Sequence, residues 1–135
     1  MLKNRIFYFL VLLVPFFIGC GGSDPVRSVP EAPQVMNLKA DPNVICVGGA
    51  SNITFDLVDP NQDAVNWNLK LSSSIHGTLD KTSGTDPSGS HISVRFKAAT
   101  SGRHRHRIAA TTTATDPGGL PAQAVSVDLY VFNCG

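Results

Sequence analysis

Arg103-His104-Arg105-His106-Arg107 is the stretch of this chain whose residue types most readily do chemistry. In an extended strand its three guanidiniums fall on one face and its two imidazoles on the other. The arginine face suits a polyanion (carboxylate, sulfate or phosphate), because a planar guanidinium offers paired donors to such oxygens. Arg95 and Lys97 are candidates to extend that patch. The histidine face suits a divalent transition metal, with His104 and His106 at i and i+2 and His76 or His91 as further ligands. No Cys, Asp or Glu stands at ligand spacing beside them, and Gly102 precedes the run, so a solvated strand entrance is the plain alternative. Catalytic signatures are missing: there is no Gly-x-Ser-x-Gly elbow, no HExxH and no phosphate loop. Without a committed acid–base pair, a binding module is expected rather than an enzyme.

The cysteines Cys20, Cys46 and Cys134 are the other reactive groups, and the first belongs to a distinctive N-terminal region. Lys3 and Arg5 precede an apolar run from Ile6 to Ile18, followed by Gly19-Cys20. The run is shorter than the roughly 20 residues that span a bilayer, and Pro15 interrupts it, so it reads as an export signal. Phe17-Ile18-Gly19-Cys20 resembles the lipobox of bacterial lipoproteins. The resemblance implies a signal peptide over residues 1–19 and a diacylated Cys20 as mature N-terminus, hence a membrane partner through the lipid. It also implies residence in the cell envelope. Gly21 follows the cysteine, where Asp would retain an enteric lipoprotein at the inner membrane, so the outer membrane is favoured.

With Cys20 given to the lipid, Cys46 and Cys134 remain as a pair in an oxidising compartment, and a disulfide is expected over two free thiols. On the chain-entropy account a loop of that length is worth about 4–5 kcal/mol. Residues 20–33 carry Pro25, Pro30 and Pro33 with Gly21 and Gly22, the composition of an extended, solvated tether. The remaining residues, 34–135, suffice for one domain.

The elements that must position these groups are strands. From Cys20 onward the chain has nine basic and ten acidic residues, a balance that argues against nucleic acid as a partner. Apolar residues alternate with polar ones in four runs: Ile53-Phe55-Leu57, Val65-Trp67-Leu69-Leu71, Ile92-Val94-Phe96-Ala98 and Val125-Val127-Leu129-Val131. Such alternation marks half-buried antiparallel strands. A weaker run over 107–115 and short pieces over 36–40 and 75–79 bring the expected number to about seven. Asp-Pro at Asp24, Asp41, Asp59, Asp86 and Asp116 predicts turn starts, since Asp accepts local backbone bonds and Pro presets φ. The pattern predicts an all-β, immunoglobulin-like antiparallel β-sandwich.

The segments Phe55-Asp56-Leu57-Val58-Asp59-Pro60-Asn61-Gln62-Asp63 and Ala114-Thr115-Asp116-Pro117-Gly118-Gly119-Leu120 resemble bacterial cadherin-like and PKD-like immunoglobulin-fold modules. The resemblance covers about residues 44–133 and implies Trp67 as the core tryptophan. The cysteines depart from the antibody pattern, since a Cys46–Cys134 bridge would clamp terminal strands. Cadherin-like modules often hold Ca²⁺, which makes Asp59, Asn61, Asp63 and Asp116 candidate calcium ligands, although calcium takes 6–8 oxygens and four are few. No resident cofactor is otherwise expected.

These readings converge on a non-catalytic adhesion, scaffolding or recognition module of the bacterial envelope, with a protein or glycan partner. An accessory subunit of a larger envelope complex is the alternative, and a metal-handling protein stands behind it. Tyr130 and Phe132, on the polar side of the last strand, are candidate contact residues.

Overall fold

The computed structural model describes residues 29–99 and 106–135, and every regular element among them is a strand. In chain order these are β1 (Gln34–Asp41), β2 (Val44–Cys46), β3 (Ala50–Val58), β4 (Ala64–Leu71), β5 (Gly77–Leu79), β6 (Ser83–Pro87), β7 (His91–Ala98), β8 (His106–Thr115) and β9 (Val125–Phe132). They form a four-stranded sheet in the order β1-β3-β7-β5 and a five-stranded sheet in the order β2-β9-β8-β4-β6. The expected immunoglobulin-like β-sandwich is the observed fold, with nine strands rather than about seven. The expected signal peptide, Cys20, most of the tether, and Arg103, His104 and Arg105 lie outside the described residues.

Alternation builds the core. Ile53, Phe55 and Leu57 of β3 and Val94 and Phe96 of β7 are fully buried from one sheet, against Val65, Leu69, Ile108 and Leu129 from the other. Trp67 joins them, meeting Phe55 edge-to-face with ring centroids 5.4 Å apart. Strand β6, absent from the sequence expectation, exists to cover that indole. Gly84 pairs with Trp67, and a Cβ there would meet the indole at 2.8 Å. Asp86, two residues on, accepts the indole N–H at 2.7 Å. Asp86-Pro87 therefore lies within a strand and does not start a turn; the turn comes after it, where Ser90 N–H donates to the Pro87 carbonyl.

Strand β1 changes parity part way along. Val35 is buried, then Leu38 and Ala40 face inward, and the register against β3 shifts between Met36 and Lys39. Asn37 absorbs the shift with φ at 54°, a left-handed conformation that Asn tolerates better than most residues. Strand β2 runs parallel to β9, pairing Cys46 with Phe132, whereas the other ladders are antiparallel. The expected disulfide joins Cys46 to Cys134, with Cα atoms 5.5 Å apart.

The registers sort the residues into two ends of the sandwich. Gln34 pairs with Val58, Asp56 with His91, Ala64 with Pro87 and Asn66 with Thr115, which gathers these residues at the end where the chain enters. Asp41 pairs with Asn52, Gly77 with Ala98, Leu71 with Ala110, His106 with Val131 and Cys46 with Phe132 at the opposite end. Pro33 is fully buried and Asn61 Nδ2 donates to the Glu31 carbonyl at 3.3 Å. Pro33, the last residue of the expected tether, is thus packed into the domain, while residues 29–31 are exposed.

Candidate functional site

At the entrance end the two Asp-Pro loops are built by their own carboxylates. Asp59 Oδ1 accepts the N–H groups of Asn61 at 2.7 Å and Asp63 at 3.4 Å, and the Gln62 N–H donates to the Asp59 carbonyl. Asp116 Oδ1 accepts the Leu120 N–H at 2.7 Å, while the Gly119 N–H donates to the Asp116 carbonyl. Gly119, with φ at 84°, supplies the left-handed position that closes this turn. The loops meet: Asn61, Asp63, Asp116 and Gly118 line one open cavity of about 380 Å³, together with Pro30. Asp59 is fully buried beneath its loop, and its Oδ2 has no hydrogen-bond partner among the described residues. No group of three or more His, Cys, Asp or Glu able to hold a metal occurs among the described residues. An ion in the cavity would therefore have to draw on Asn61, backbone oxygens or water.

The basic residues are divided between the two sheets. Arg107 pairs with Asp128 of the neighbouring β9 at 2.8 Å, and the hydrogen bond to that carboxylate raises the guanidinium pKa still further. Asp128 therefore competes with any external anion for Arg107, whose side chain stays 67% exposed in the pair. Arg95 and Lys97 project from β7 in the other sheet, on the outer face opposite to that of Arg107. Nearer the entrance end of the β1-β3-β7-β5 sheet's outer face, Asp56 accepts a hydrogen bond from Asn37 at 2.6 Å and pairs with His91 Nδ1. The Asn37 bond, then the His91 bond, holds the Asp56 carboxyl below the ordinary aspartate range.

The opposite end collects a different set. His76, in the connection between β4 and β5, stacks on His106 at the start of β8, with ring centroids 3.8 Å apart and planes 19° from parallel. Of the further ligands considered from sequence, the fold thus brings His76 to His106 and leaves His91 at the entrance end with Asp56. Between β4 and β5 a recess of about 550 Å³ is lined by the half-buried Leu71 and Leu79, with the buried Leu69 at its base, beside Asn68, Lys70 and Thr82. Ile75, 80% exposed, rims an adjoining recess of about 340 Å³ with Ser74, Thr78 and Lys97. The expected strand piece over 75–79 is realised only as β5, Gly77–Leu79, which leaves Ile75 exposed in the preceding turn. Tyr130 and Phe132 are half-buried on β9 and engaged within the chain.

No protein-family model and no curated protein matches the chain. Solved structures do. A PKD domain of an M14-like peptidase from Thermoplasmatales archaeon SCGC AB-540-F20 aligns over 78% of this chain and 100% of its own, at 16% identity and a TM-score of 0.57. The periplasmic chaperone SfaE aligns over 76% of this chain and 57% of its own, at 8% identity and a TM-score of 0.59. The PapD-like domain 7 of human CEP192 aligns over 77% of this chain and 86% of its own, at 12% identity and a TM-score of 0.54. What the chain shares with these three at such identities is the immunoglobulin-like β-sandwich fold.

Proposed function

We propose that the chain is a lipid-anchored, non-catalytic recognition module of the bacterial envelope, held through Cys20 on the outer membrane and presenting its far end to a protein or glycan partner. The observation that carries this reading is the polarity of the sandwich. The chain enters beside the Asp59 loop, while Ile75 and the apolar recess between β4 and β5 lie at the end away from the entrance. An anchor at the N-terminus would direct that surface outward. The tether has composition suited to such a role, and its last residue, Pro33, packs into the domain.

A photo-crosslinking residue at position 75, installed in intact cells, is expected to capture a discrete partner. A probe at Gln123, an exposed position at the entrance end, serves as control. Cys20→Ala is expected to abolish membrane partitioning and the capture with it. Adducts at 123 but not 75 would overturn the tip assignment, and unchanged partitioning of Cys20→Ala would overturn the anchor. Capture of one stoichiometric protein favours an accessory subunit of an envelope complex, and glycan capture favours adhesion.

A second reading concerns calcium, favoured by the unpartnered, buried Asp59 Oδ2 and by the cavity that Asn61, Asp63 and Asp116 share. These donors fit a hard cation in kind but not in number, since Ca²⁺ takes 6–8 oxygens. Millimolar Ca²⁺ is expected to raise the melting temperature of the native chain and not of Asp63→Asn; equal shifts would remove the site.

A further inference from the structure

His76 occupies an unusual position in the backbone. Its carbonyl accepts the Ala99 N–H at 2.9 Å, and its ring lies on His106. Ala99 and His106 flank residues 100–105, so one residue touches both ends of that segment. We propose that His76 and His106 form a two-histidine site for a borderline divalent transition ion of the Cu²⁺ or Zn²⁺ kind. The inference is independent of the lipid anchor and of the partner-binding tip.

The scaffold beneath the two rings is fixed by hydrogen bonds. His106 begins the β8–β9 ladder opposite Val131. The connection carrying His76 is tied at its start to β8, where the Ser72 N–H donates to the Ala109 carbonyl at 2.8 Å and the Ala109 N–H donates to Ser72 Oγ at 3.0 Å. Immediately after His76 the chain enters β5, with Gly77 paired to Ala98. Both rings are half-buried, which limits their freedom without removing access to solvent. His76 sits in a connection and not on a strand, but one tied at both ends, and ligands so held bind with less ordering than ligands on a free loop.

The chemistry of the pair fits the ion class. Imidazole nitrogen is the ligand type that suits Zn²⁺, Cu²⁺ and Ni²⁺, whereas Ca²⁺ and Mg²⁺ demand oxygen. With Zn–N bonds of about 2.0–2.1 Å, two nitrogens on one tetrahedral ion stand roughly 3.3 Å apart. The ring centroids stand 3.8 Å apart, so the two imidazoles share one small volume from which both could reach a single ion. A stacked pair directs its lone pairs along parallel planes, so capture needs each ring to turn about χ2. That torsion is soft in histidine, with broad, roughly two-fold wells. Ring packing alone is accomplished elsewhere in the molecule by carbocyclic and indole rings, as at Phe55 and Trp67. Two imidazoles in the same role add ring nitrogens at the surface that a phenylalanine pair would lack. With two protein ligands the remaining coordination positions belong to water, which makes the site open and of modest affinity.

Binding would cross-link the β4–β5 connection to β8 and therefore stabilise the folded state. Free Zn²⁺ at a hundred times its Kd is expected to raise the melting temperature of the purified chain by about 10–20 °C. His76→Phe and His106→Phe keep an aromatic stack while removing nitrogen, and each should lose the shift. His91→Gln should retain it. No saturable shift in the native chain, or a shift that persists in either Phe variant, would overturn the assignment. Should a Phe variant fail to fold, paramagnetic resonance of Cu²⁺ on the native chain decides the matter. Hyperfine coupling to two imidazole nitrogens is expected, and one nitrogen or an oxygen-only signal refutes the pair.

Discussion

At the scale of single residues, several polar side chains of this domain satisfy one another across strands. Asp56 is the example with a measurable consequence. Its carboxylate is held in the charged form first by Asn37 Nδ2 and then by His91, and its folded-state pKa is depressed. A depressed carboxyl contributes stability in full above the unfolded-state value and loses it as pH falls through the folded-state value. Asn37→Ala removes the leading cause, so the Asp56 pKa is expected to rise toward the ordinary aspartate range. The acid limb of the stability curve should then become flatter, which carboxyl-detected NMR titration and urea melts at successive pH values would both register. No change in the Asp56 midpoint would assign the depression to His91 alone. The role of Asn37 was hidden in the sequence, because it depends on a bulge that brings a β1 amide over a β3 carboxylate.

At the scale of elements, legibility followed the regularity of the pleat. Strands β3, β4, β7 and β9 bury one face over many residues, so their alternation could be read directly. Strand β2 is three residues long, too short to show a period, and β6 carries no large apolar side chain at all. Each forms because a neighbour requires it: β6 covers Trp67, and β2 fills the edge beside β9. The four edges are also guarded against pairing with other chains. Edge strand β1 is bulged at Asn37, β2 and β5 are short, and β6 ends on Pro87. The disulfide does for β2 what length does for longer strands, since Cys134 holds Cys46 on the end of β9. Cys46→Ser is expected to lower stability by about 2–5 kcal/mol in urea unfolding under non-reducing conditions. Addition of reductant should bring the native chain to the same midpoint.

At the scale of the whole molecule, fold class and turn chemistry were accessible from residue order, whereas the surfaces were not. The disposition of Arg107 against Asp128, and of Arg95 and Lys97 on the other sheet, depends on strand order, which alternation does not encode. The same is true of His76 and His106, which are brought together from distant parts of the sequence. Asp59 and Asp116 illustrate the opposite case. Their turns were predicted from the Asp-Pro dipeptides alone, and their meeting at one end follows once the strands are in place.

The position of the Cys46–Cys134 bridge has a mechanical consequence. Tension applied between the N-terminal side of the domain and Gly135 passes from Cys134 through the bridge to Cys46, bypassing everything between them. Only β1 and the short path to β2 can lengthen, and β1 lies along the load, so its ladder with β3 is sheared rather than peeled. With the bridge intact, single-molecule pulling is expected to release only the slack of residues 34–45, well short of their full contour of about 40 Å, because β1 is already extended along the load. The rest of the sandwich should stay folded until the bridge is reduced. A tether of this kind yields by a short, fixed extension and then stops.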